Sequence, residues 1–303
     1  MAGASPINGA AIMKVFSNLL TDAKAIYSRD KKISGIWAAF MGGAFFVYFF
    51  MSSGDFSFLL TLASLWRCFG LSLLIYKVYT GMSARGVSVK TLELYAVAFL
   101  ARLLSIMRHQ GYLPFDKTGD WFYHVVEFIS LGAVGLLLFG IFGPLKSTYD
   151  SKYDKFGNYK IPAEYGALYL FVPCLIMALI FHPQLNKEMF SDTCWTLSMY
   201  VEAIAMVPQL YMFQKQASDQ DGTVEAVLSH TTFAIGFSRI FELFFWIGSF
   251  HELSNSTGKF PGYIILLSQF TQLVIMGDFF YYYFQSVSTG GPMELPTYNS
   301  MNV

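Results

Sequence analysis

The sequence predicts an all-α, polytopic membrane protein, a bundle of apolar helices, and three observations predict it. Hydrophobic residues make up 54% of the 303-residue chain and charged residues only 13%, well below the quarter that is charged in an ordinary soluble domain. Apolar runs close to lipid-crossing length recur eight times along the chain, and a helix needs about 20 such residues to cross a hydrocarbon core. Lys and Arg crowd into alternate connections, as they do on the cytoplasmic side of membrane proteins. Formal net charge is zero, so electrostatic behaviour follows from where the charges lie. The partner implied by composition is the lipid bilayer, and no nucleic acid.

Taken in order, residues 1–33 are polar and carry Lys24, Arg29, Lys31 and Lys32 ahead of the first apolar run. They lack the short apolar core and cleavage site of a secretory signal, and read as a cytosolic leader with an amphipathic patch over Met13 to Tyr27. Residues 34–52 hold a first span, Ser34–Met51. Residues 57–284 hold seven more: Ser57–Tyr79, Thr91–Met107, Trp121–Phe142, Glu164–His182, Thr193–Phe213, Ala226–Phe250 and Pro261–Phe284. Residues 285–303 form a tail. Of the twenty Lys and Arg, Arg67, Arg102 and Arg239 fall inside spans, and Arg108, Lys117, Lys187 and Lys259 fall in the loops on one side, which leaves thirteen on the other. That asymmetry puts both termini in the cytosol and the loops around 53–56, 108–120, 183–192 and 251–260 on the far side. The sequon Asn255-Ser256-Thr257 lies there, close to the membrane. Cys68, Cys174 and Cys194 have no CxxC spacing and read as small buried apolar residues, so neither a metal nor another cofactor is expected.

Candidate function resides in the charges inside the spans. The stretch Trp195 to Leu210 is apolar enough for lipid yet carries Glu202 halfway and the pair Pro208-Gln209 near its end. An ionisable group costs about 2.5–3.5 kcal/mol at the centre of a membrane helix on insertion scales, so it faces a protein interior and marks a site. The full intramembrane set is Arg67, Arg102, Glu127, Glu202, Arg239, Glu242 and Asp278, with His124 and His230 nearer helix ends. Three arginines against four acids suits mutual pairing, and Arg239 and Glu242 share a helix face. Polar groups of this kind also hold helices together. A guanidinium presents a rigid fork of donors matched to a carboxylate, such as a peptide C-terminus. No Ser-His-Asp spacing, Walker loop or HExxH pattern is present, so catalysis is not expected. Asp278, in the aromatic run Asp278-Phe279-Phe280-Tyr281, needs a partner if it is buried.

These residues resemble a known family, the ER lumen protein retaining receptors, also called KDEL or HDEL receptors. The likeness runs from near Leu65 to Pro296. It is carried by Trp195-Thr196-Leu197-Ser198-Met199-Tyr200-Val201-Glu202 continuing into Val207-Pro208-Gln209-Leu210, by Gly86-Val87-Ser88 with Lys90, by Arg102, by Arg239 with Trp246, and by Asp278-Phe279-Phe280-Tyr281. The resemblance implies a seven-helix receptor domain over 57–284, similar in architecture to SWEET and PQ-loop sugar transporters, with Ser34–Met51 added in front. It implies capture of C-terminal retrieval signals of escaped ER proteins in the Golgi and their return by coat protein I vesicles. In that scheme Arg102 takes the terminal carboxylate, Glu202 and Arg239 belong to the network that reads the signal and senses protons, and Trp195 packs against the peptide, with Trp246 beside them.

The chain departs from the family at definite positions. Arg67 stands where the family has a pH-sensing histidine, and an arginine does not titrate in the useful range. Leu60, Ser105, Ser238, Phe245 and Ser249 stand where an arginine, an aspartate, a tyrosine, an asparagine and an arginine are expected from the resemblance. Arg67 is therefore expected to pair permanently with Glu202. The tail Gly290 to Pro296 lacks the family's lysines. Two alternatives remain beside a retrieval receptor. One is a small-solute transporter of the PQ-loop kind with Pro208 and Gln209 as hinge, and the other a non-transporting trafficking protein whose polar set only joins helices.

Overall fold

The apolar runs fold as helices. The computed structural model, which describes residues 31–52, 56–109, 120–158, 162, 165–219, 222–254 and 259–296, contains α1 (Lys31–Met51), α2 (Phe58–Thr80), α3 (Val89–Ile106), α4 (Asp120–Phe142), α5 (Leu168–Ile180), α6 (Met189–Ile204), α7 (Val207–Asp219), α8 (Ala226–Gly248), α9 (Phe250–Leu253) and α10 (Phe260–Thr289). Stretches within four of them, Ile33–Met51, Phe58–Thr80, Trp121–Phe142 and Phe260–Thr289, are long and apolar enough by themselves to cross a membrane. The chain is a polytopic helical membrane protein. The leader with its Met13 to Tyr27 patch, the sequon at Asn255 and most of the loops at 53–56 and 108–120 lie outside the described residues.

Helices in lipid gain little from burying apolar surface, because lipid tails are as apolar as leucine, so close packing holds them together. Gly70 supplies it where α2 runs along α8: a Cβ there would meet the Ile235 side chain at 2.6 Å and the Thr231 carbonyl at 3.0 Å. The other face of α2 meets α4, α3 packs between α4 and α6, and α10 closes the bundle against α8 and α6. The centre is therefore bordered by α2, α3, α4, α6, α8 and α10. The added helix α1 sits at the rim, with Trp37 and Phe40 on Trp66 and Phe69 of α2 and Phe233 of α8. Of its described side chains only Ala44 is buried.

All eight spans differ from their predicted bounds by at least one residue, and four of the differences have a structural consequence. The largest correction concerns Thr193–Phe213, predicted as one helix and found as two, α6 and α7, with Ala205 and Met206 between them. Pro208 is the cause. It has no N–H to give to Ile204, and its ring crowds that carbonyl, so the chain breaks and restarts with proline in the first turn of α7, where it is tolerated. Ala205 N–H bonds back only three residues, to the Glu202 carbonyl at 3.4 Å. Glu202 therefore lies in the last turn of a broken helix, not halfway along a continuous one. The span Glu164–His182 shortens to α5, with Pro173 inside it. Ala226–Phe250 stops at Gly248 and resumes as the one-turn α9. The last span runs on to Thr289, where Gly290 caps it in the left-handed conformation at φ 68°. The tail then folds back: β2 (Met293–Glu294) pairs antiparallel with β1 (Thr223–Val224), and Met293 and Leu295 are buried.

Candidate functional site

Five helices deliver one charged group or more to a single point. Arg67 comes from α2, Arg102 from α3, Glu127 from α4, Glu202 from α6, and Arg239 with Glu242 from α8; all six are buried. Glu202 is the hub. Arg67 Nη1 lies 2.8 Å from its Oε1, Arg102 Nη2 donates to its Oε2, and Arg239 Nη2 contacts Oε1. Glu127 closes a ring on the other side, pairing through Oε1 with Arg67 and, at 3.4 Å, with Arg102 Nη1, while Ser64 Oγ donates to it at 3.3 Å. Arg239 Nη1 reaches Glu242 one turn on. Three arginines and three glutamates give 3 − 3 = 0 formal charge, the balance that lets buried ions persist in a low dielectric.

Secondary contacts fix the guanidinium planes. Ser198 Oγ lies 3.3 Å from Arg102 Nε, and Arg67 stacks over the Phe99 ring at 5.0 Å. Trp195 and Trp246 form an edge-to-face pair, centroids 5.1 Å apart, beside the network. The cavity between Leu60, Ser64, Arg67, Arg102, Trp195, Met199, Glu242 and Trp246 is about 10 Å³, room for about one water. The site is thus closed, its cationic forks filled by the protein's own carboxylates.

Each sequence-predicted residue now has a place. Arg67, Arg102, Glu202 and Arg239 are brought together, Arg67 meets Glu202 as expected, and both tryptophans flank them. Pro208 breaks the α6–α7 path. Gln209 is a clamp as well as a neighbour of that break: its Nε2 donates to the Gly86 carbonyl at 2.7 Å and its Oε1 accepts from Ser88 N–H at 2.9 Å. Gly86, at φ +76°, sits in the left-handed region that glycine favours, and a side chain there would strike Leu228. Asp154 seals the same corner, accepting from Val89 N–H at 2.9 Å, Ser88 Oγ at 3.0 Å and Tyr149 OH at 2.7 Å, with Lys90 beside it. Asp278 is corrected: it is exposed on α10, on a different face from buried Met276 and Phe279, and takes no part in the network. Glu127 and Glu242 were visible as intramembrane acids but not as members of the site, because helix order in sequence does not say which faces converge. Gln269 and Gln272 on α10 were missed; two glutamines three apart in an apolar helix were the available signal.

A separate tether joins the end of α3 to the start of α6. Glu188 accepts from Arg108 Nη1 at 2.8 Å and from Ser191 Oγ at 2.8 Å, and His109 Nε2 lies 2.6 Å from it. The Ser191 and His109 hydrogen bonds, with the Arg108 guanidinium, hold the Glu188 carboxyl below its usual range.

The profile of the family described as ER lumen protein retaining receptor matches residues 83–249, more than half of the chain. The chain belongs to the ER lumen protein retaining receptor family. It is 32% identical over 229 residues to an ER lumen protein-retaining receptor of Dictyostelium discoideum, covering 74% of this chain and 92% of that protein. It is 28% identical over 225 residues to one from Petunia hybrida, covering 74% and 91%. For one from Kluyveromyces lactis the figures are 28% over 259 residues, 82% and 98%. The profile match to this receptor family starts after α2 and ends before α10, so five of the six charges lie inside it while Arg67, Gln269 and Gln272 lie outside.

Proposed function

We propose that the protein is a retrieval receptor that binds C-terminal ER-retention signals of the KDEL or HDEL kind and returns their carriers from Golgi to ER. What carries this reading is the convergence of Arg67, Arg102 and Arg239 on Glu202 in the buried centre of the bundle. A peptide carboxylate has the charge and the two-oxygen geometry that these forks already hold. In this reading Arg102 takes the terminal carboxylate, Glu202 and Arg239 set the depth of the site, and Trp195 and Trp246 pack on the last side chain. The compartments are the ER and cis-Golgi membranes, both termini face the cytosol, and the coat protein I machinery is the transport partner. Family membership supports the compartment; the charge asymmetry of the loops supports the orientation.

Peptides ending in a free carboxylate are expected to bind the purified protein, and their C-terminal amides are not. Equal binding of the amide would remove carboxylate capture from the proposal. A second reading, a PQ-loop transporter, draws on the α6–α7 break at Pro208 and the Gln209 clamp, since broken helices border solute sites in transporters. Uptake of sugars or amino acids by proteoliposomes, abolished by Pro208→Ala, would favour it over the receptor. Under a purely architectural role, Arg102→Ala lowers thermal stability and no carboxylate peptide binds the unaltered chain.

A further inference from the structure

Two glutamines on α10 stand outside the ion-pair network, and the packing of an apolar helix does not explain them. Gln269 and Gln272 lie one turn apart on the inward stripe formed with Ile265 and Met276, and neither has any exposed surface. Among the described residues, both amide atoms of Gln272 and the amide oxygen of Gln269 lack a hydrogen-bond partner. A buried polar group left this way has lost its hydration without a bond in return, so an apolar residue would sit at either position more cheaply. The Gln269 amide nitrogen faces the Met199 sulfur at 4.0 Å, and Arg102 Nη2 faces the same sulfur at 3.9 Å. A thioether is a weak acceptor, yet two strong donors, one of them charged, converge on it. That geometry fits an oxygen, which would accept a charge-assisted bond from Arg102 and a second bond from the amide. Methionine is the residue best able to leave, being unbranched and able to adopt several conformations.

We infer that Gln269 and Gln272 are ligand-binding residues, forming with Arg102 a wall that receives the carboxylate and last peptide units of a C-terminal peptide where the Met199 sulfur now sits. The inference rests on the retrieval-receptor reading and adds α10 to the site. A glutamine amide offers one donor side and one acceptor side, as a peptide unit does, so two of them one turn apart can follow an extended peptide backbone. Arg102 supplies the charge and the glutamines supply the register.

The test uses the full chain in detergent micelles and a fluorescent heptapeptide ending in KDEL with a free carboxylate. Gln269→Leu and Gln272→Leu should each weaken binding at least tenfold while the thermal midpoint without peptide stays level or rises. Gln269→Met, close in shape to the original, should lose affinity in the same way and guards against a packing fault in the leucine variant. Glutamines that merely join helices would give a lower midpoint, and that outcome, or wild-type affinity in the glutamine variants, overturns the assignment. Failure of the unaltered protein to bind either this peptide or an HDEL-ended one overturns the retrieval reading and this inference together. Binding by the unaltered protein with unaffected variants overturns the inference alone.

Discussion

Replacing Glu202 by glutamine should be the most damaging isosteric change in the bundle. The side chain has no exposed surface and touches three guanidinium groups. With its charge gone, three arginines face two glutamates, 3 − 2 = +1, and water cannot screen the surplus. Removing one partner of a buried ion pair costs about 3–5 kcal/mol. At about 2–4 °C per kcal/mol for a chain of this order of size, the thermal midpoint should fall by roughly 6–20 °C. The measurement is thermal unfolding of purified protein in detergent, followed by tryptophan fluorescence. Contact number orders the neighbours: Glu127 meets two arginines and Glu242 one, so the loss should run Glu202 over Glu127 over Glu242. The double change Arg67→Met with Glu202→Gln restores neutrality, two arginines against two glutamates, and should recover part of the loss with a coupling of about 0.5–3 kcal/mol. A fall no larger than that of Glu242→Gln, or strictly additive losses in the double variant, would refute the charge-balance account.

Glu127→Gln takes the resident carboxylate from between Arg67 and Arg102, and affinity for a free-carboxylate peptide should rise by about tenfold or more, a charge-assisted bond being worth about 1.5–3 kcal/mol; fluorescence anisotropy checks it against the amide. Gln209→Leu removes both bonds to the α2–α3 turn and strands the buried Ser88 N–H, so stability should drop by about 1–3 kcal/mol, read as a lower thermal midpoint that Gln209→Asn does not restore because its side chain is one methylene shorter. For Glu188 the pH sign is fixed by its lowered folded-state value: its stabilisation is present above the ordinary carboxylate range near about 4.3 and fades as pH falls through the depressed value. The midpoint gap between the unaltered protein and Glu188→Gln should therefore be open at pH 6 and narrow as the pH falls from the ordinary carboxylate range through the depressed value, as thermal scans at successively lower pH would record.

By itself the sequence determined the class of protein, the existence of the spans and the residues worth watching. Hydropathy decides which segments can enter lipid, and the cost of burying charge singles out the seven intramembrane charges, Arg67, Arg102, Glu127, Glu202, Arg239, Glu242 and Asp278, before any fold is known. The pairing of Arg67 with Glu202 came from the family resemblance, which puts both in one cavity, and the structure brings them to 2.8 Å. Tertiary structure alone decided the rest. Periodicity says that a helix has an inward face but not which helix it meets, so Glu127 and Glu242 could not be placed in the site, and Asp278 could not be assigned to an outward one. The break at Ala205 and Met206 depended on whether neighbouring groups would rescue the bonds that Pro208 removes, and Gln209 instead turns its amide to Gly86 and Ser88. The meeting of Arg102 and Gln269 at one sulfur joins residues 167 positions apart (269 − 102), a proximity created by packing, to which pairwise charge and hydropathy along the chain are blind.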